Sequence, residues 1–416
     1  MSVLSKVANF YWLLLLVGIS IFLPLQNALT HLLGLSTYID EFIQLFMLAI
    51  LIWKSFTLKS AKFIVMSYAF LVLWMSILSI KAVPERGLSN VAQQIFVHSK
   101  YIVFIGFFYL VVKSQISKKV LNVIICLSVF FLFFDLLFQG TLNALLDQKV
   151  QMRGGSVRPI GIQGHTANLG FFMSMLAAYF ICSDNKISQK AKFIFIFMSL
   201  ILVFLTSVRT ALVVFPIILA WGFRASFRVT ATVIGTLSLI FVAIGPNKYF
   251  NELVEITQQN IINTIENPTK AAYIRGMMIY FSFELANERF PVGTGAATFG
   301  TVKSDDSAIY AELGVRNSRF FIEKDGIYDS NFASVLGEFG YLGFALYYYF
   351  FISFILRLCS FDKKTKVNSE FLFVSISLML VYSFTNPVFM NTNQIVIFAL
   401  FLAAASKPVN EATHKI

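Results

Sequence analysis

The sequence predicts an all-α fold: a polytopic bundle of about twelve transmembrane helices with one large, mostly helical external loop. Three observations carry this reading. Of 416 residues, 57% are hydrophobic and only 13% are charged, and Phe alone occurs 47 times. Soluble domains carry about 25% charge and about 45–50% apolar residues, so this chain has too little polar surface to coat a water-soluble globule. The apolar residues also come in runs close to the ~20 that a spanning helix needs. Finally, basic residues fall between the runs in short groups such as Lys54, Lys59 and Lys62, or Lys113, Lys118 and Lys119.

The first run, 8–26, follows a lone Lys6. It is long for a signal-peptide core and has no small-x-small cleavage site, so it reads as an uncleaved anchor. Further runs lie at 40–53, 63–80, 94–112, 119–139, 167–182, 193–208, 210–223 and 229–245, and then at 334–356, 371–386 and 388–405. An even number of spans puts both termini on one side. With that side cytoplasmic, 18 of the 33 Lys and Arg residues border cytoplasmic segments and six fall in short external loops. That bias is the positive-inside pattern, and it accounts for the formal net charge of +12. No basic stripe interleaved with stacking aromatics points to nucleic acid.

Residues 246–333 break the pattern. They form an external loop of 88 residues opened by Gly245-Pro246, too long to be structureless connection in a compact domain. Asn267-Pro268-Thr269 reads as a helix start. Ile274, Met278, Phe281 and Leu285 follow at helical spacing, and Phe290-Pro291 is the stop. The chain thus divides into 1–245 (nine helices), 246–333 (loop subdomain) and 334–416 (three helices and a cytoplasmic tail). Cys126, Cys182 and Cys359 lie in or beside apolar runs without CxxC spacing, so neither a disulfide framework nor a zinc site is expected.

A few polar residues stand out against this apolar ground. From Phe193 to Phe223 the chain runs 31 residues with Arg209 as its one charge. One helix of that length reaches about 46 Å, too long for one span and short for two. Two short spans meeting at Thr206–Thr210 would bring Arg209 to the external rim. There it either snorkels to headgroups or clamps an anion, since ionisable groups in spans are functional candidates by default. Arg275 falls in the first turns of the expected loop helix, where it is either a solvated face residue or a ligand group. Arg289, Arg316 and Arg319 have the pattern of surface charge. Asp329, in Asp329-Ser330-Asn331, precedes a spanning helix as a cap or as a carboxylate at the bundle mouth. Glu338 lies two to three turns further on and needs a partner, an arginine being the expected one. Arg158 and His165 belong to a Gly- and Pro-shaped external loop. Pro291-Val292-Gly293-Thr294-Gly295 fails the dinucleotide pattern because Thr298 replaces the third glycine, so the glycines point to a tight turn or close backbone approach. No Walker A, HExxH or Ser/His/Asp pattern is present, and Asp305-Asp306 reads as loop rather than as a metal site.

The order of these segments resembles the O-antigen polymerase and ligase superfamily of surface-polysaccharide assembly proteins. The resemblance rests on three stretches within residues 153–345. One is Arg158 to Gly170, with Gly164-His165-Thr166-Ala167-Asn168 similar to a Gly-His-Pro-Asn core. Another is Ser207-Val208-Arg209-Thr210-Ala211. The third runs from Arg275 through Pro291–Gly295 to Asp329 and the Glu-x-Gly-x-x-Gly of Glu338–Gly343. It implies an inner-membrane glycosyltransferase acting, without metal or other cofactor, on undecaprenyl-pyrophosphate-linked oligosaccharide at the periplasmic face. Membrane lipid and a polysaccharide chain-length regulator would be its partners. Arg209 and Arg275 would clamp the departing pyrophosphate, Arg289 would be a third clamp member, and Asp329 would be the base. Arg158, His165 and Glu338 would contact substrate. Ligases of the superfamily carry a histidine just before the return helix. Here that place is taken by Asp329, and the long loop contains no histidine, which favours polymerase over ligase. A flippase or exporter of lipid-linked oligosaccharide is the alternative from another class, although its charges would be expected inside the spans.

Overall fold

The computed structural model describes residues 3–182, 208–222 and 273–408, apart from 35–37, 113, 147–149, 151, 154–155, 325 and 362–364, together with scattered positions between 255 and 266. The expected span 229–245, all but the last residue of 193–208, and the expected helix start at Asn267–Thr269 lie outside these residues. Five helical stretches are long and apolar enough to cross a membrane: Tyr11–Thr30, Lys59–Arg86, Leu88–Val112, Ser114–Leu137 and Asn331–Phe361.

In chain order, α1 (Val3–Phe22) bends through a 3-10 turn at Pro24 into α2 (Gln26–Leu33). The first apolar run therefore continues beyond its expected end at residue 26. Next come α3 (Ile39–Ser55), α4 (Lys59–Ser79), a short α5 (Val83–Arg86) and α6 (Leu88–His98). α6 breaks at Ser99 before α7 (Lys100–Phe107) and a π-turn over Phe108–Val112. α8 (Ser114–Leu137) and a short α9 (Thr141–Leu145) lead to a two-residue ladder, β1 (Met152–Arg153) on β2 (Ser156–Val157). α10 (Thr166–Cys182) and α11 (Arg209–Gly222) follow. The described part of the long loop holds α12 (Ile274–Glu288), α13 (Ile309–Glu312) and α14 (Arg319–Glu323). The chain returns as α15 (Asn331–Phe361), α16 (Ser369–Ser383) and α17 (Thr392–Ala405). A ladder of β3 (Thr365–Lys366) on β4 (Lys407–Pro408) ties the far ends of α15 and α17.

The packing is that of a bundle with an apolar outside. α17 is buried along its whole length, among α7, α8 and α10. On α4, by contrast, Met66, Phe70, Leu73 and Ile77 are each more than half exposed. They repeat at helical spacing, so an entire apolar stripe faces outward, as a lipid-facing helix requires. The central helices are short. At ~1.5 Å per residue, the 14 residues of α17 reach about 21 Å, against about 30 Å of bilayer hydrocarbon.

The long loop builds a core of its own from Ile274, Met278, Phe281 and Leu285 of α12 with Phe299, Tyr310 and Ile327. The periodic apolar residues are therefore one face of a real helix. The loop is docked on the bundle around Glu338, which is fully buried. Its Oε1 accepts from the backbone N–H groups of Thr298 (3.1 Å) and Phe299 (3.4 Å) and from Thr301 Oγ1 (3.0 Å). Its Oε2 lies 2.9 Å from Nε2 of His98 on α6. The arginine expected for Glu338 is replaced by an imidazole and a loop backbone, which together satisfy a carboxylate that lipid or core could not.

Beside it, α15 kinks at Gly340, with φ 64° and ψ −170°, a region essentially reserved for glycine. The kink admits the Pro291–Gly295 segment, whose Thr294 and Gly295 N–H groups donate to the carbonyls of Gly337 and Glu338. A Cβ on Gly340 would overlap the backbone nitrogen of Gly293 and come within 2.6 Å of the Pro291 carbonyl. Arg86 completes the dock. It donates to the carbonyls of Ala297 (2.9 Å) and Lys303 (2.6 Å) and pairs with Asp306, whose carboxyl that hydrogen bond holds below the usual range.

Removing one partner of a buried, hydrogen-bonded charge costs about 3–5 kcal/mol. Glu338→Leu is therefore expected to raise hydrogen exchange at the amides of residues 295–301 by about 100-fold or more, while α17 keeps its protection. Gly340→Ala should do the same by expelling the Pro291–Gly295 segment. Unchanged exchange in both variants would remove Glu338 and Gly340 as the docking point.

Candidate functional site

One end of the bundle gathers the residues 26–30, 164–168, 329 and 386–394 around a cavity of about 410 Å3. Three helices begin there: α10 after His165, α15 after Asp329 and α17 after Asn391. Their aligned peptide dipoles present the equivalent of about +0.5 charge each at the N-terminus, which favours an anion.

Arg275 sits in the first turn of α12, and its guanidinium meets the carboxylate of Asp329 on the cavity wall. Nη2 and Nε both donate to Oδ2, at 2.6 and 3.2 Å. Among the described residues none donates to Oδ1. Burial pulls the Arg275 pKa down, but Asp329 and Tyr273 more than reverse the effect, and it ends above its ordinary value. The guanidinium is thus held charged, with donors left over after Asp329 and Tyr273 are served.

His165 is exposed and lines the cavity. Desolvation lowers its pKa, Asp329 raises it, and Arg158 and Arg275 lower it again, leaving it below its usual 6.5. Its Nδ1 accepts the N–H of Ala167 at 3.2 Å. The neutral ring therefore carries its proton on Nε2 and works as a hydrogen-bond donor. Arg158 is half-buried in the extended stretch that leads into this turn.

Four of the expected site residues thus come together: Arg275, Asp329 and His165 directly, and Arg158 through its charge on His165. Arg209 opens α11, and its side chain lies outside the described residues. Its main chain is anchored near the rim, because Thr210 Oγ1 is 2.6 Å from Thr385 Oγ1, beside the cavity residue Asn386. Two expectations are corrected. Arg289 does not join the cluster: it follows α12 at the end away from Arg275, about 21 Å along the helix, and pairs with Glu312 on the surface at 3.0 Å. Glu338 does not line the cavity; its carboxylate is wholly used in docking the loop.

The sequence reading passed over the carboxamides. Gln26, Asn27, Asn168, Asn386, Asn391 and Gln394 all line the cavity. The signal for three of them was the polar residues Thr385-Asn386-Pro387 and Asn391-Thr392-Asn393-Gln394, which fall at the end of the run 371–386 and inside the run 388–405. Non-helical backbone is tolerated at membrane depth where it lines a water-filled cavity, and the shortness of α17 leaves room for such a vestibule. Among the described residues, no three His, Cys, Asp or Glu side chains form a metal-ligating group. No protein-family model and no curated protein matches the chain at a significant level.

The electrostatics of His165 have a measurable consequence. Its imidazole is expected to titrate below 6.5 in histidine-labelled NMR spectra. The midpoint should rise in Arg275→Gln, which removes a repelling charge, and fall further in Asp329→Asn. A midpoint insensitive to both substitutions would separate His165 from the Arg275–Asp329 pair.

Proposed function

We propose that the protein is a surface-polysaccharide polymerase of the bacterial inner membrane. It spans the membrane about twelve times with both termini cytoplasmic, and transfers a growing glycan from undecaprenyl pyrophosphate to a lipid-linked repeat unit at the periplasmic face. The observation that best supports this reading is the cavity in which the Arg275–Asp329 pair and His165 meet three helix N-termini, at the bundle end that carries the long loop. Such a site combines a carboxylate with the positive ends of three helices and the guanidinium of Arg275 beside it. Glycosyl transfer from a lipid pyrophosphate needs both.

In the proposed reaction an acceptor sugar hydroxyl gives its proton to Asp329 Oδ1. Its oxygen bonds to the anomeric carbon of the donor while the bond from that carbon to the pyrophosphate oxygen breaks. The electron pair leaves with the lipid pyrophosphate, whose growing charge is met by Arg209, by the remaining donors of Arg275 and by the helix ends. Arg275 has a second task, fixing the Asp329 carboxylate so that Oδ1 faces the cavity. His165, neutral and donating through Nε2, would hold a substrate oxygen.

Deleting the gene from its host and running surface polysaccharide on a gel tests the reading. The expected result is collapse of the long ladder to single-repeat products. Complementation with Asp329→Asn should restore at most about 1% of the polymer, since a general base contributes about 10²–10⁴-fold. Arg209→Gln should behave similarly, as electrostatic groups of this kind contribute about 10²–10³-fold. Arg289→Gln should restore the full ladder. Lipid-linked polymer accumulating without surface decoration would instead identify a ligase, and an unchanged ladder would leave an exporter.

A further inference from the structure

The carboxamides of the cavity have a chemistry of their own. Among the described residues that line it, His165 and Asp329 are the only ones with titratable side chains; the rest of the polar lining is carboxamide and hydroxyl. Asn168 and Gln394 are each about 1% exposed, yet both line the cavity with hydrogen-bonding capacity to spare. Nδ2 of Asn168 has no protein partner, and neither Oε1 nor Nε2 of Gln394 has one. Their neighbour Asn391 is already committed: its Nδ2 donates to Asn168 Oδ1 at 3.2 Å and its Oδ1 accepts the Gln394 N–H at 3.3 Å. Asn391 thereby holds the Asn168 carboxamide through its oxygen and caps the first turn of α17 at the Gln394 backbone.

We infer that Asn168 and Gln394 form a subsite for an uncharged sugar residue bearing hydroxyl or acetamido groups. A carboxamide presents a donor and an acceptor in one plane, which matches a vicinal hydroxyl pair or an acetamide and offers nothing to a charge. Buried carboxamides left unpaired are costly. A ligand that satisfies them is therefore favoured over one that cannot, the condition under which a polar site discriminates most sharply between analogues. The cavity volume of about 410 Å3 falls within the range of small-ligand sites, about 300–1,000 Å3. The inference deepens the polymerase reading: the cationic side would take the pyrophosphate and the amide side the sugar next to it, so that Asn168 and Gln394 select the repeat unit.

The test separates binding from transfer. The full chain, purified into lipid nanodiscs, is titrated with two neutral disaccharides, N,N′-diacetylchitobiose and lactose, and read by saturation-transfer NMR. Binding of at least one probe in the millimolar range is expected. Gln394→Met and Asn168→Leu should each weaken it about tenfold, the equivalent of one good hydrogen bond, and Arg289→Gln should leave it unchanged. Melting temperature checks that each variant is folded; where one is not, Gln394→Glu keeps the size and removes the donor. No saturation of either probe in the native chain would overturn the subsite, as would equal saturation in the folded variants. Because neither probe carries a lipid or a leaving group, sugar binding with an unchanged ladder in the deletion strain would retain the subsite and discard the polymerase. A collapsed ladder with no sugar binding would do the reverse.

Discussion

A carboxylate inside an apolar helix has to be paired, and the way Glu338 is paired organises much of the molecule. It has no arginine. It takes one imidazole from α6 and three donors from the long loop, so the loop cannot leave without stranding a charge in the bundle. The glycine kink at Gly340 lets the Pro291–Gly295 backbone lie directly on α15, and Arg86 fastens the residues that follow, at Ala297, Lys303 and Asp306. With that end of the loop fixed, α12 runs back across α15 and delivers Arg275 to Asp329. The docking point and the cavity are thus opposite ends of one rigid connection. Glu338 acts on the site through this geometry, without touching it.

The cavity forms where short helices begin. α17 starts at a polar turn and stays buried to its end, and at about 21 Å it is shorter than a typical bilayer's hydrocarbon thickness. Asn386, Asn391 and Gln394 gather at its start, and the starts of α10 and α15 join them. Polar backbone and carboxamides are stable there because they face a cavity. The same arrangement aims three helix N-termini inward, so a positive field exists before any arginine is counted.

The pairing of Arg275 with Asp329 changes how the charges divide their work. Two guanidinium donors converge on one carboxylate oxygen, which orients the carboxylate, and no described residue donates to the second oxygen. The arginine keeps donors for an anion. In the same cavity desolvation and the arginines around it lower the pKa of His165, so it favours an N–H over a charge. Selectivity can then reside in the carboxamides, which carry no charge.

Apolar length, the placement of Lys and Arg, and the helical spacing of Ile274, Met278, Phe281 and Leu285 are local properties, and each was legible in the chain. The helical architecture, the membrane-length stretches and the self-packed loop followed from them. Residue type also marked Arg275, Asp329, His165 and Arg158 as candidates, because a charge or a shaped polar loop beside a spanning helix has few structural reasons to be there. Partnership was not legible. His98 lies 240 residues from Glu338, and nothing local to either residue names the other, so the expected arginine was the wrong cation. Arg289 and Arg275 look equivalent in sequence, yet a helix of 15 residues holds them at opposite ends. Asn168 stood out only within the Gly164–Asn168 motif, and Asn391 and Gln394 lay unmarked inside the run 388–405, until the fold brought them to one cavity. The sequence determined which segments must leave water; only the tertiary structure decided which of the remaining polar groups meet, because a hydrogen bond depends on separation in space and is blind to separation along the chain.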